Sequence, residues 1–216
     1  MNQIAQTNMI KQQLKTWNIS KPEILNAFTN LSRTLFVPIK YQNFAYADIA
    51  LPITPTRSLL PPKEEARMLQ ALQLKSKVTA LEIGSGHGFI TAILSTMFKQ
   101  VITVDPDTEI TKTIKTNLET HYQNITFLSG DPSDGWEHGG PFDLIWINGS
   151  LPFITENMVK NLTPNAQIIA VIGSSNPMSA TSYQRSGSEW VSEKLFETYT
   201  PPLPGTKNKN AFNFDE

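Results

Sequence analysis

Val78-Thr-Ala-Leu-Glu-Ile-Gly-Ser-Gly-His-Gly-Phe-Ile90 is the stretch on which the fold of this chain turns. Val78 to Ile83 is β-branched and apolar and runs straight into turn glycines, which predicts a buried strand. Phe89 to Phe98 predicts a helix, with Phe89, Ile90, Ala92, Ile93 and Met97 available to pack. Between them Gly84, Gly86 and Gly88 are spaced Gly-x-Gly-x-Gly, with Ser85 inside the turn. Glycine there lets a ligand come close to the backbone, and the helix start beside it offers unpaired N–H groups. Strand, glycine turn and helix in that order make a nucleotide-sized site at the carboxyl edge of a sheet.

Two nucleotide signatures fail. The dinucleotide fingerprint wants its third glycine one position later, where this chain has Phe89, and the phosphate-cradling Gly-Lys-Ser/Thr is absent. Two acids are informative instead. Glu82 lies two residues before the first glycine. Asp105 ends the next apolar run, Val101-Ile-Thr-Val104, where a ribose-binding acid is expected. Glu-x-Gly-x-Gly-x-Gly with that acid resembles the S-adenosylmethionine pocket of class I methyltransferases. The plainer reading is an ordinary strand–turn–helix; both acids together favour the cofactor.

A length of 216 residues and 39% hydrophobic content suit one domain with an ordinary core. The net charge of −1 implies no general pull toward nucleic acid or an acidic membrane. Cysteine is absent, which excludes disulfides and thiolate catalysis and fits a cytoplasmic location. No signal peptide is visible at Met1-Asn-Gln-Ile-Ala-Gln-Thr, and no apolar run approaches the roughly 20 residues that span a bilayer.

Residues 4–17 predict an amphipathic helix through Ile4, Met9, Ile10, Leu14 and Trp17. Ser20-Lys-Pro-Glu23 opens a second, carrying Ile24, Leu25, Ala27, Phe28 and Leu31. A Pro-rich loop follows over 54–62, and a helix from about Lys63 to Leu72. From Val78 onward strands alternate with helices. The strands are Val78–Ile83, Val101–Val104, Ile125–Leu128, Phe142–Ile147 and Gln167–Ile172; the helices are Phe89–Phe98, Asp107–His121 and Thr155–Asn161. Such alternation implies a doubly wound, mostly parallel α/β sheet covered on both faces. Two short strands around Gly187 read as a C-terminal β-hairpin, and Pro201-Pro-Leu-Pro-Gly205 as a stiff extended terminator. The expected organisation is one methyltransferase domain: a helical, substrate-side part over 1–74, a cofactor core over 75–175, and C-terminal strands and tail over 176–216.

With these residues placed, the chain resembles the protein-L-isoaspartate (D-aspartate) O-methyltransferase family from about Met9 to Gly205. The matching stretches include Leu35-Phe-Val-Pro38, Ala45-Tyr-x-Asp48, Leu51-Pro-Ile53, Leu81-Glu-Ile-Gly-Ser-Gly-x-Gly88, Gly130-Asp131 and Pro141-Phe-Asp143. The resemblance implies a class I, Rossmann-like fold, S-adenosylmethionine as methyl donor with S-adenosylhomocysteine as product, and methylation of the α-carboxyl of isoaspartyl residues in damaged proteins. It places Glu82, Gly84, Ser85, Gly86, Gly88, Asp105 and Asp131 at the cofactor. Two departures stand out. The family's Thr-x-Ser-Gln-Pro is here Ser58, Leu59, Leu60, Pro61 and Pro62, so Ser58 stands for the threonine and Leu60 lacks the serine hydroxyl. Its Thr-Ala-Ala after the fourth core strand is here Asn148-Gly149-Ser150. Ser58, Leu60 and Asn148 are the catalytic-site candidates.

Other residues admit two readings. Asp131 is an adenine partner or a turn residue, and Arg57 a carboxylate attractor or a solvated loop cation. Trp136 is core or lid rather than a stacking platform. His87, His121 and His138 have no metal-ligand spacing and read as exposed loop histidines. The expected partner is a peptide or protein substrate carrying isoaspartate, or a small-molecule acceptor, with no nucleic acid and no membrane, and the expected state of the chain is a monomer or weak homodimer. The alternatives are a methyltransferase for a different small-molecule or protein acceptor, and a cofactor-binding homologue with little isoaspartyl activity.

Overall fold

The computed structural model describes residues 2–73, 77–186 and 189–206. It begins with α1 (Asn2–Asn8), which widens into a π-helical run over Met9–Leu14 and tightens to a 3₁₀ turn at Lys15–Trp17. One continuous α-helix was expected here, and side-chain spacing explains the difference. Met9 and Leu14 are five residues apart, about 140° apart on an α-helix of 3.6 residues per turn. The wider π turn brings both onto one face. Both are buried, while Ile4 and Trp17 stay exposed. Next comes α2 (Pro22–Asn30), with proline at its first position and Ile24, Ala27 and Phe28 buried.

The expected Pro-rich loop contains a hairpin. β1 (Leu51–Thr54) pairs antiparallel with β2 (Arg57–Leu59) around Pro55-Thr56. Proline in a run argues against a strand because it cannot donate to the ladder. A two-stranded ribbon has only edges, where a missing N–H is tolerated. α3 (Pro62–Gln70) then leads to the core.

The core elements are β3 (Thr79–Ile83), α4 (Phe89–Met97), β4 (Gln100–Asp105), α5 (Thr108–Leu118), β5 (Ile125–Ser129), β6 (Phe142–Leu151), α6 (Glu156–Val159) and β7 (Leu162–Ile172). Each lies where it was expected, with shifted ends. α5 starts one residue later than predicted because the Asp107 side chain caps it, accepting from Glu109 and Ile110 N–H. α6 is a single turn. β8 (Met178–Ser186) and β9 (Glu189–Thr198) are long strands rather than short ones. The turn at Gly187, the core boundary near residue 75 and the tail beyond 206 lie outside the described residues.

The large sheet has the order β5-β4-β3-β6-β7-β8-β9, parallel from β5 through β7 and antiparallel at β8 and β9. β3 is central, with β4 on one side and β6 on the other. The chain reverses its direction of travel across the sheet at that point, which opens a crevice at the strands' carboxyl ends. Side chains alternate along β3. Ala80 joins a buried cluster with Met9, Leu14, Ile24 and Phe28 of the N-terminal part and Phe89, Ala92 and Ile93 of α4. Leu81 and Ile83 join Val104, Ile145, Ile147, Met158 and Leu203 on the other face. Among the described residues no helix is long and apolar enough to cross a membrane.

Candidate active site

An open cleft lies at the carboxyl end of β3. Gly84, Ser85 and Gly86 line it from the glycine turn; Arg57, Ser58 and Leu60 from the β1–β2 hairpin and the residue after it; Trp146 and Asn148 from β6. Gly84 has φ 82°, and a Cβ there would lie 2.8 Å from the Asn148 carbonyl oxygen. Only glycine fits so close an approach with that dihedral. Gly88 does not line the cleft; it opens α4.

Glu82 lies wholly buried beneath the glycine turn. Its Oε2 accepts from Thr91 Oγ1 at 2.5 Å and Thr103 Oγ1 at 2.7 Å, and its Oε1 from Asn148 Nδ2 at 2.8 Å. Burial raises its pKa to about 7, against the pull of those three donors; the nearby Asp105 charge adds to the rise. Asn148 Nδ2 also donates to Gly84 O at 2.7 Å, and Asn148 Oδ1 accepts from Trp146 Nε1 at 2.8 Å. The Asn148 amide therefore ties β6 directly to Gly84 of the glycine turn and to Glu82 beneath it.

Asp105 ends β4 and is completely buried. Arg57 Nη1 donates to its Oδ1 at 2.8 Å and its Oδ2 at 2.7 Å, and Asp107 N–H donates to Oδ1 at 2.9 Å. The two sequence readings of Arg57 both missed this contact. Residues 48 apart in sequence leave no local pattern that would announce it. Asp131 follows β5 and is exposed; its Oδ1 accepts from Ser133 N–H at 3.0 Å. It borders a second cleft with Leu151, Phe153, Thr155 and Gly205.

The Pro201–Gly205 stretch runs between the two clefts. Ser150 N–H donates to Pro201 O and Leu203 N–H to Ser150 O, each at 3.0 Å, and Leu203 is buried. Gly149, at φ 141°, makes room for it: a Cβ there would lie 2.8 Å from Leu203 Cα.

Three further residues matter at the cleft. Glu65 lines it and forms a fully buried ion pair with Arg33. Arg33 Nη2 donates to Leu60 O at 2.6 Å, and its guanidinium lies 4.8 Å from the Phe89 ring centre. Burial pushes the Glu65 carboxyl up to about 7, opposed by Arg33. His87, expected as an exposed loop residue, lines the cleft half-buried, and burial lowers its pKa. The helix expected from about Lys63 is α3 and carries Glu65, but nothing in the sequence joins Glu65 to Arg33.

Comparison with known proteins gives the family. The profile of protein-L-isoaspartate(D-aspartate) O-methyltransferases matches residues 4–206. The chain belongs to this family. The protein-L-isoaspartate O-methyltransferase of Herpetosiphon aurantiacus is 30% identical over 198 residues, 91% of this chain and 88% of that one. That of Petrotoga mobilis is 33% identical over 168 residues, 77% of this chain and 79% of that one. Two solved structures share the fold. One is a protein-L-isoaspartate O-methyltransferase at 22% identity and TM-score 0.77, covering 93% of this chain and 66% of that longer one. The other, from Plasmodium falciparum and solved with S-adenosyl-L-homocysteine, is 18% identical with TM-score 0.75, covering 94% and 97%. This chain is thus an S-adenosylmethionine-dependent enzyme of the protein-L-isoaspartate O-methyltransferase type, with the class I methyltransferase fold. Gly84 and Gly86 line this cleft beside Arg57, which holds the buried Asp105, whereas Asp131, expected at the same cofactor, lines the second cleft on the other side of the strap.

Proposed function

We propose that the chain methylates the α-carboxyl of isoaspartyl residues in damaged proteins, using Gly84, Ser85 and Gly86 as the donor floor and Ser58 at the acceptor. Asp105 is assigned to the ribose hydroxyls, since a carboxylate can accept two hydrogen bonds from a vicinal diol. Asp131 is assigned to the adenine. Glu82, Gly88 and Asn148 act indirectly. Glu82 and Asn148 hold the shape of the glycine turn, and Gly88 seats α4 against it. The supporting observation is that the glycine floor, Ser58, Leu60 and the Arg57 that grips Asp105 all line one cleft.

Bound S-adenosylmethionine supplies a methyl on a sulfonium, which leaves as a neutral thioether after in-line displacement. An acceptor carboxylate is already ionised near neutral pH, its ordinary pKa being about 4. The chain's residues therefore need no general base. Their work is to align the acceptor and exclude water. Pro201, Pro202 and Pro204 close one side of the cleft with groups that carry no N–H. Ser58 can hold one acceptor oxygen, leaving the other to react. The proposed state is a monomer or weak homodimer acting in the cytoplasm, and the net charge of −1 exerts no general pull on nucleic acid or an acidic membrane.

A different acceptor is the second reading, and one observation favours it: Leu60 lines the cleft where the family carries a serine hydroxyl. Tritiated methyl transfer to an isoaspartyl peptide and to its aspartyl twin separates the two. Label on the isoaspartyl peptide alone is expected. Label on neither, with S-adenosylhomocysteine still bound, defeats the isoaspartyl assignment.

A further inference from the structure

We infer that Arg57 is a substrate-coupling residue: it occupies Asp105 before the donor binds, and the donor releases it to hold the acceptor's carboxylate. The inference rests on the proposed ribose role of Asp105. Three observations carry it. Asp105 is completely buried, and both its oxygens receive Arg57 Nη1, so a diol cannot reach it while Arg57 stays. Asp107 N–H takes a further acceptor position on Oδ1, which leaves little of the carboxylate's capacity free. Arg57 itself lines the cleft with Ser58 and Leu60, so a guanidinium freed from Asp105 stays among the acceptor-side residues.

The chemistry is complementary at each end. The diol replaces one set of donors on Asp105 with another, so the buried carboxylate keeps hydrogen-bond partners. The displaced guanidinium is then an unpaired cation at the cleft wall, and an acceptor carboxylate is its natural partner. One carboxylate oxygen held by Arg57 leaves the other to attack the methyl. This supplies a positioning contact on the wall where Leu60 brings no hydroxyl. Because one cation serves two anions in turn, the acceptor site is complete only after the donor has bound. The two affinities are then reciprocally coupled.

Calorimetry with S-adenosylhomocysteine and an isoaspartyl peptide tests this on the wild type, Arg57→Gln and Arg57→Met. In the wild type, saturating S-adenosylhomocysteine should tighten peptide binding by about tenfold, the size of a typical coupling. In both variants S-adenosylhomocysteine should bind at least as tightly as in the wild type, since no latch must open. Peptide binding to the S-adenosylhomocysteine complex should weaken by about tenfold, and the coupling should vanish. Thermal midpoints within a few degrees of wild type exclude a folding defect. Weaker S-adenosylhomocysteine binding in both variants would show that Arg57 merely braces Asp105 and would overturn the inference. So would unchanged peptide binding or coupling. Wild-type methylation of the same peptide is the separate control. Its absence defeats the proposed acceptor, whereas its presence with unaltered coupling in the variants defeats only the role of Arg57.

Discussion

Leu60 is the residue whose chemistry departs most directly from the family pattern. Arg33 donates to its carbonyl, and the leucine, which lines the cleft and packs partly against the core, brings no side-chain hydrogen-bonding group. A serine there could add a bond to a charged acceptor, worth on the order of 1–3 kcal/mol, or roughly ten- to hundredfold in rate. Leu60→Ser should therefore raise isoaspartyl turnover in steady-state assays; a fall, with cofactor binding intact, would mark leucine as part of a different acceptor pocket. Glu82 makes a second residue-scale prediction. Its carboxyl titrates near 7 in the fold against an ordinary 4.5. The unfolded chain therefore gives up this proton at lower pH than the folded one, so the contribution of Glu82 to stability falls as pH climbs from about 4.5 to 7. The effect is on the order of 3 kcal/mol at one pKa unit per 1.4 kcal/mol. Glu82→Gln should gain stability relative to wild type between pH 5 and pH 8 in urea titrations. A pH-independent difference would mean that the three donors keep Glu82 ionised throughout.

At the scale of elements, the β1–β2 hairpin and the 201–205 strap turn a bare strand–turn–helix into a walled site. The hairpin contributes Arg57 and Ser58, and Ile53 from its first strand lies over Gly86. The strap is held by two backbone bonds to Ser150 and by Leu203, which fills the space left by Gly84 and Gly149. Deleting a buried leucine side chain costs about 2–5 kcal/mol when the site cannot collapse. Leu203→Ala should lose stability in that range and weaken S-adenosylhomocysteine binding, because the wall beside the glycine floor loses its anchor. Wild-type affinity in a folded Leu203→Ala protein would separate the strap from the donor site.

For the whole molecule, the N-terminal part shares its buried cluster with the sheet and α4. Met9, Leu14, Ile24 and Phe28 are buried in one cluster with Ala80, Phe89, Ala92 and Ile93. Phe28 and Phe36 each meet the Phe89 ring edge-on, at 5.5 and 5.4 Å. We propose that the chain folds as one cooperative domain, as shared burial of this kind requires. Denaturation followed by far-ultraviolet circular dichroism and by tryptophan fluorescence should give coincident transitions, Trp17 reporting on the N-terminal part and Trp146 on the core. A separate early transition in fluorescence would divide the chain into two units.

The sequence by itself determined the central strand, the glycine turn, the helix after it and the strand–helix alternation. It also marked Asp105, because these signals are local: periodicity, β-branching and turn glycines act within a few residues. It marked Glu82 and Asn148 as site residues without showing that they bond to each other beneath the glycine turn. Proline in the 54–62 stretch concealed a hairpin, and helical periodicity concealed the π run that brings Met9 and Leu14 together. Only the tertiary structure decided that Arg57 covers Asp105, that Arg33 pairs with Glu65 and that the 201–205 strap walls one side of the cleft. Those contacts join residues dozens of positions apart. Their partners are chosen by which surfaces the folded sheet brings within hydrogen-bonding range, and no local pattern encodes that distance.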